Sequence, residues 1–195
     1  MSRDFWNKTV RPKIYIFCEW STEKFYFTKL KTIFRNSPFE IKPINLKTWW
    51  AVKDIRKLNS KIKAILNKDK ISWIKLVQIA FVVFDVDIFT EIEINTLYSN
   101  IDNKILIPSN WTFEYWILSH FKKYNLPNWK GKYLTEIKKN ITPQNDKFTW
   151  RNDFSWLTKE NIDFAINNTK ITLSWHLKYK DPYTEVSTII EEIKK

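Results

Sequence analysis

The chain has 195 residues, and 33 Lys and Arg against 21 Asp and Glu give it a formal charge of +12, which favours polyanionic partners, nucleic acid first among them, through counterion release and steering. A single glycine, Gly131, excludes the Gly-rich phosphate loops of P-loop ATPases, kinases and dinucleotide enzymes, and one Cys with two His argues against a disulfide framework, a zinc site or a Cys-His nucleophile pair. An AT-rich genome raises Lys, Asn and Ile by itself, so the charge carries weight only through where it lies in space.

The first predicted strand, Lys13 to Cys18, is short, β-rich and bounded by Pro12 and by Ser21-Thr22. From Thr22 to Arg35, apolar residues fall at Tyr26, Phe27, Leu30, Ile33 and Phe34, the one-sided spacing of an amphipathic helix. Phe39 to Leu46 is a second strand weakened by Pro43, and Ala51 to Leu66 repeats the helical spacing at Ile55, Leu58, Ile62 and Ile65. Ile79 to Phe84 is a continuous apolar run of the kind found mid-sheet and covered on both faces, and it ends in Asp85-Val86-Asp87. A short helix over Thr90 to Tyr98, a strand over Lys104 to Pro108 and an apolar helix over Thr112 to Tyr124 follow. More polar helical patterns then cover Tyr133 to Ile141, Phe154 to Asn168 and Val186 to Lys194.

Strands alternating with helices indicate an α/β fold with a mostly parallel sheet, because parallel neighbours need crossovers and these are usually helical. No linker or repeat divides the chain, so it reads as one domain, with a core over about 10–125 and a helical C-terminal part over 126–195. A domain of this size buries roughly 70% of the surface of its unfolded chain and needs no metal staple. The lone Cys18, with no leader and no long uncharged apolar run, leads us to expect a cytoplasmic protein without a membrane span.

In open parallel sheets functional groups gather at the carboxyl ends of strands, where this chain places Glu19 and Asp85. If the third strand runs on, Asp85 and Asp87 leave one face with backbones about 6.6 Å apart. Like charges at roughly 4 Å repel by about 4 kcal/mol at an effective dielectric near 20, so such a cluster takes up protons, spreads into solvent or binds a cation. An all-carboxylate site suits Mg²⁺ or Mn²⁺ and phosphodiester chemistry. Taken alone, Asp-Val-Asp is more often a surface turn or a cap; the apolar run before it is what points to a site.

Four segments resemble the RloB-like family, a group with the Toprim fold. Cys18-Glu19-Trp20-Ser21-Thr22-Glu23-Lys24-Phe25-Tyr26-Phe27 is similar to its Cys-Glu-Gly-x-Thr-Glu-x-x-Tyr-Phe opening, and Phe84 to Phe89 to its Asp-x-Asp segment. Ser109 to Phe121 resembles its Ser-Asn-x-x-Phe-Glu-x-Trp-x-Leu-x-His-Phe helix, and Asp181-Pro182-Tyr183-Thr184-Glu185-Val186 its Asn-Pro-x-Thr-x-Val element, with Asp181 in place of Asn. The resemblance implies a Toprim-like fold related to OLD-type nucleases. It also implies a Mg²⁺-dependent nuclease, often encoded with an ATPase partner in prokaryotic defence loci. Carried over by position, Glu19 is the general acid or base and metal neighbour, Asp85 and Asp87 hold the ion, and Glu114 is a further acid of the site. Trp20 stands where the family has Gly, so the turn is expected either to be rebuilt around the ring or to impair the chemistry. Val86 replaces a basic residue between the aspartates. A non-catalytic Toprim-like module that binds nucleic acid or an ATPase is the competing expectation.

Glu23 falls in the first helical turn, where an acid complements the helix dipole, a structural role at least as apt as a catalytic one. His120, between apolar neighbours, reads as a hydrogen-bonded core residue. Lys24, Trp129-Lys130 and Trp150-Arg151 are candidate nucleic-acid contacts, pairing cations with rings able to stack on unpaired bases. The other aromatic residues, Trp49-Trp50 included, read mostly as core or amphipathic surface, and a homo-oligomer is compatible with the pattern.

Overall fold

The computed structural model describes residues 11–46, 55–68, 78–85, 90–100, 106–110, 113–123, 130–141, 154–169 and 183–195. Strand β1 (Lys13–Cys18) leads into α1 (Ser21–Ile33), β2 (Glu40–Asn45), α2 (Ile55–Lys68), β3 (Gln78–Asp85), α3 (Glu91–Asn100) and β4 (Leu106–Asn110). Helices α4 (Phe113–Ser119), α5 (Lys130–Ile141) and α6 (Lys159–Thr169) come next, then the two-residue strand β5 (Tyr183–Thr184) and helix α7 (Val186–Lys194). The strands lie in the order β2-β1-β3-β4-β5; the first four are parallel and β5 is antiparallel to β4. The fold is therefore α/β, with a parallel sheet flanked by helices.

This order explains the residue choice in each strand. β1 and β3 are flanked on both sides by other strands and covered on both faces, and their buried runs, Ile14 to Cys18 and Ala80 to Phe84, are almost wholly apolar. β2 is an edge strand, which is why it accommodates Pro43 without losing a ladder hydrogen bond to a second neighbour. The chain moves from β1 outward to β2, then back across β1 to β3. Right-handed crossovers in opposite directions place their helices on opposite faces.

Two cores result. The larger joins Ile14, Ile16 and Cys18 of β1, Phe81 and Val83 of β3 and Ile107 of β4 to buried residues of α1, α4, α6 and α7. The smaller packs the alternate residues Tyr15, Phe17, Ala80, Val82 and Phe84 against Leu58 and Ile62 of α2. Each large aliphatic or aromatic side chain so buried contributes about 1.5–3 kcal/mol.

Helix ends follow local hydrogen bonding. Before α3 the Thr90 N–H donates to Glu93 Oε2 at 2.7 Å while the Glu93 N–H donates to Thr90 Oγ1 at 3.3 Å, a reciprocal cap. The helix expected over Phe154 to Asn168 begins only at Lys159, because Thr158 and Asn161 cap it in the same way and Phe154 and Leu157 turn into the larger core instead. Helix α4 ends at Ser119, short of the expected extent, because Ser119 Oγ and His120 Nδ1 bond to the Trp116 carbonyl and the chain turns away. β4 runs to Asn110, two residues beyond the expected end, extended by the pairing of Ser109 with Asp85.

The short strand β5 had no periodic signal. It pairs Thr184 with Ser109 and Tyr183 with Asn110, so the Ser109 and Asp181 motif segments, far apart in sequence, meet at the carboxyl end of β4. The Glu185 N–H donates to the Pro108 carbonyl at 3.0 Å, and Val186 then enters the larger core. This junction docks α7 onto the sheet. No helix among the described residues is long and apolar enough to cross a membrane.

Candidate functional site

The reversal of strand order falls between β1, which leads outward to β2, and β3, which leads outward to β4. Side-chain space opens at the carboxyl edge of such a switch point, because the connections leave it in opposite directions. Glu19 follows β1 directly and Asp85 is the last residue of β3, and the register Cys18↔Val83 puts them at the same edge. The Asp85 N–H donates to Glu19 Oε2 at 3.3 Å. Glu19 is only 4% exposed, and burial pushes its carboxyl up to about 7 against the opposing effect of that hydrogen bond.

A third acid joins them. Glu23 lies at the head of the buried stripe of α1 that continues through Tyr26, Phe27 and Leu30, so helical spacing aims it inward with them. It is fully buried, and its Oε2 accepts the Trp20 N–H at 3.1 Å. Burial first, and then the charge of Asp85, hold its carboxyl well above the ordinary range, with Glu19 adding to the effect. The expectation of a helix-dipole role for Glu23 is thus incomplete: it does bond the N-terminal turn, but its carboxylate belongs electrostatically to the Glu19 and Asp85 cluster. The missed signal was the position itself, an acid where the i, i+3, i+4, i+7 stripe calls for an apolar residue.

Glu19 Oε1 and Glu23 Oε1 are both buried and accept no hydrogen bond among the described residues. Buried carboxylate oxygens without donors are costly unless they are protonated or meet a cation. Among the described residues, acids and imidazoles do not complete a cage of three or more ligands. A hydrated Mg²⁺ does not need one, since it keeps several waters and takes one or two carboxylates from the protein. The donor set, carboxylate oxygens without His or Cys, fits Mg²⁺ or Mn²⁺.

At Trp20 the backbone itself makes no demand for the missing glycine. Its φ of −113° and ψ of 161° are ordinary extended backbone, open to any residue. The turn therefore does not demand glycine, and the indole stands 47% exposed.

The other candidates that the structure describes are Glu114, Lys24 and Lys130. Glu114 is half-buried in the first turn of α4, and the charges that act on Glu23 are those of Asp85 and Glu19, not its own. Lys24 is exposed on α1, and Lys130 is the first residue of α5. Asp87, Val86, Trp129, Trp150 and Arg151 lie outside the described residues. His120 is the buried core residue its sequence context suggests: its Nδ1 donates to the Trp116 carbonyl at 2.9 Å, which leaves Nε2 to accept the Tyr26 hydroxyl at 3.0 Å. Burial holds it neutral, with its pKa lowered to about 4. Cys18 is buried, and burial followed by the nearby Glu23 charge pushes its thiol well up, so it is no nucleophile.

A family model described as RloB-like protein matches residues 14–193, a span that begins in β1 and ends in α7. No curated protein and no solved structure matches the chain.

Proposed function

The chain belongs to the RloB-like family, and from that premise we propose that it is a Toprim-type nuclease that hydrolyses phosphodiester bonds of DNA or RNA with Mg²⁺ or Mn²⁺, as a prokaryotic defence effector. The observation that carries the reading is the convergence of Glu19, Glu23 and Asp85 at the β1/β3 switch point, where Glu19 Oε1 and Glu23 Oε1 are buried and meet no donor among the described residues. Asp85 and Asp87 would hold the ion, with Glu19 as its neighbour and Glu23 beside them. A bound Mg²⁺ supplies charge stabilisation for the phosphodiester and a more acidic bound water.

The chain's own groups set the rest. A carboxyl near 7, as Glu19 has, is close to the pKa at which one group both accepts and returns a proton efficiently at neutral pH, and its Oε1 is the atom available for this. The hydrogen bond from the Asp85 N–H fixes the other oxygen, so the carboxyl is oriented before substrate arrives. Glu23 ties the Trp20 N–H and holds the turn that carries Glu19. Glu114 would be an outer acid, and the +12 charge, with Lys24, Trp129, Lys130, Trp150 and Arg151, would draw and hold the polyanion.

The test is cleavage of mixed DNA and RNA with Mg²⁺ or Mn²⁺, alongside calorimetric titration of the metal. Activity is expected to vanish, and metal uptake to weaken, in an Asp85→Asn, Asp87→Asn double variant. Undiminished cleavage by that variant sinks the site assignment. Salt-sensitive nucleic-acid binding without cleavage by the wild-type chain, alone or with an ATPase partner, would instead select the non-catalytic module.

A further inference from the structure

We propose that Trp20 is a stacking platform that selects an unpaired nucleotide at the mouth of the acidic site, so that the preferred substrate is single-stranded nucleic acid. The inference rests on the nucleic-acid reading above and adds a specificity-determining residue to it. Three large hydrophobic side chains among the described residues are exposed, namely Trp20, Ile92 and Phe164. Ile92 and Phe164 lie within α3 and α6, whereas Trp20 follows Glu19 directly at the carboxyl edge of the sheet.

The backbone beneath the ring is held on both sides. The Trp20 N–H donates to Glu23 Oε2 at 3.1 Å, and its carbonyl accepts the Lys24 N–H at 3.3 Å. The next residue is tied to the end of β2, where Asn45 Nδ2 donates to Ser21 Oγ at 3.1 Å. An indole carried on a fixed turn offers a flat apolar face with little backbone entropy left to lose on binding. Lys24, one turn further along α1 and exposed, provides a cation for a neighbouring phosphate.

A base within a duplex has both faces covered by its neighbours and cannot stack on a protein ring without leaving the helix. An unpaired base has a free face, and every base has one, so the platform discriminates strandedness rather than sequence.

The experiment compares binding of a fluorescently labelled pyrimidine-rich strand, as DNA and as RNA, with binding of the corresponding duplex. It uses the full chain in EDTA, where no cleavage occurs, and the variants Trp20→Ala and Trp20→Phe. Stacking on one base predicts that Trp20→Ala weakens single-strand binding roughly five- to a hundredfold, with Trp20→Phe recovering most of the loss and duplex binding unchanged. Near-ultraviolet circular dichroism checks that the variants keep the fold. Equal single-strand affinity in all three proteins, equal losses for strand and duplex, or no wild-type binding of single strands would each overturn the proposal. Because binding is read without metal, a chain that shows the Trp20-dependent preference but never cleaves would refute the nuclease reading alone.

Discussion

Replacing Glu19 by Gln tests whether the acidic cluster is held against its electrostatic preference. Gln keeps the shape and an oxygen to accept the Asp85 N–H, but it cannot ionise. Raising a carboxyl from the ordinary 4.5 to about 7 in the folded chain means that, between those pH values, the folded state holds a proton the unfolded state has released. Stability therefore falls as pH rises through this window and levels off above about 7. The total change from this group is at most about 3 kcal/mol, at 1.36 kcal/mol per tenfold change in proton affinity.

His120 acts in the opposite sense. Its pKa, lowered to about 4, makes the folded state bind fewer protons than the unfolded state between about 4 and 6.5, so stability rises with pH there. The wild-type profile alone would mix these effects with that of Glu23, whose carboxyl is raised like that of Glu19. The difference between Glu19→Gln and wild type cancels His120 and reports Glu19 together with the effect of its charge on Glu23. It should be small near pH 4 and grow to about 2–3 kcal/mol in favour of the variant by pH 8. The assay is urea unfolding followed by tryptophan fluorescence at a series of pH values in EDTA, with slopes compared to confirm a common unfolded state. A difference that stays flat from pH 4.5 to 8 would refute the burial argument for the site. With Mg²⁺ present the gap should narrow, because a cation on the cluster favours the ionised form.

Three further substitutions probe the framework. Tyr26→Phe removes the donor to the buried His120 Nε2 and should cost about 1–3 kcal/mol in urea unfolding, whereas an unchanged midpoint would show that the bond contributes nothing net. Thr158→Ala removes the Oγ1 that accepts the Asn161 N–H at the start of α6 and should lower stability by about 1 kcal/mol in the same assay; no loss would deny the cap its role. Ile190→Ala opens a cavity where α7 meets the larger core and should cost about 2–5 kcal/mol; a loss below 1 kcal/mol would mean that α7 is only loosely docked.

What was legible in the sequence was what periodicity encodes. The run from Ile79 to Phe84 reads as a doubly covered strand because it is one, and α7 matches its expected bounds because its buried residues Val186, Ile189, Ile190 and Ile193 keep one stripe. Strand order is not periodic, so the switch point between β1 and β3 shows only in the topology, although the place of its two acids at strand ends is legible in the sequence. β5 is too short to have a pattern; its signal was a motif whose meaning lies in pairing with β4. Whether the turn at Trp20 needs a glycine is set by its φ, which no sequence pattern supplies; the backbone there is extended.

Residues 19 to 23 break several local expectations together: an acid buried at a strand end, an indole left in solvent and a second acid on an apolar stripe. Such conflicts gather at functional sites because packing elsewhere over-determines the fold. Here β1 is locked by ladders on both sides and α1 by Tyr26, Phe27 and Leu30, so the turn between them can carry groups that oppose folding. The opposition is conditional. The buried oxygens of Glu19 and Glu23 destabilise the native chain only while no proton or cation meets them, and a ligand that binds the folded state alone adds stability as RT ln(1 + [L]/Kd). Occupation of the site and stability of the fold are therefore one linked equilibrium, so the proposed metal binding at the switch point can be tested by unfolding measurements without a substrate.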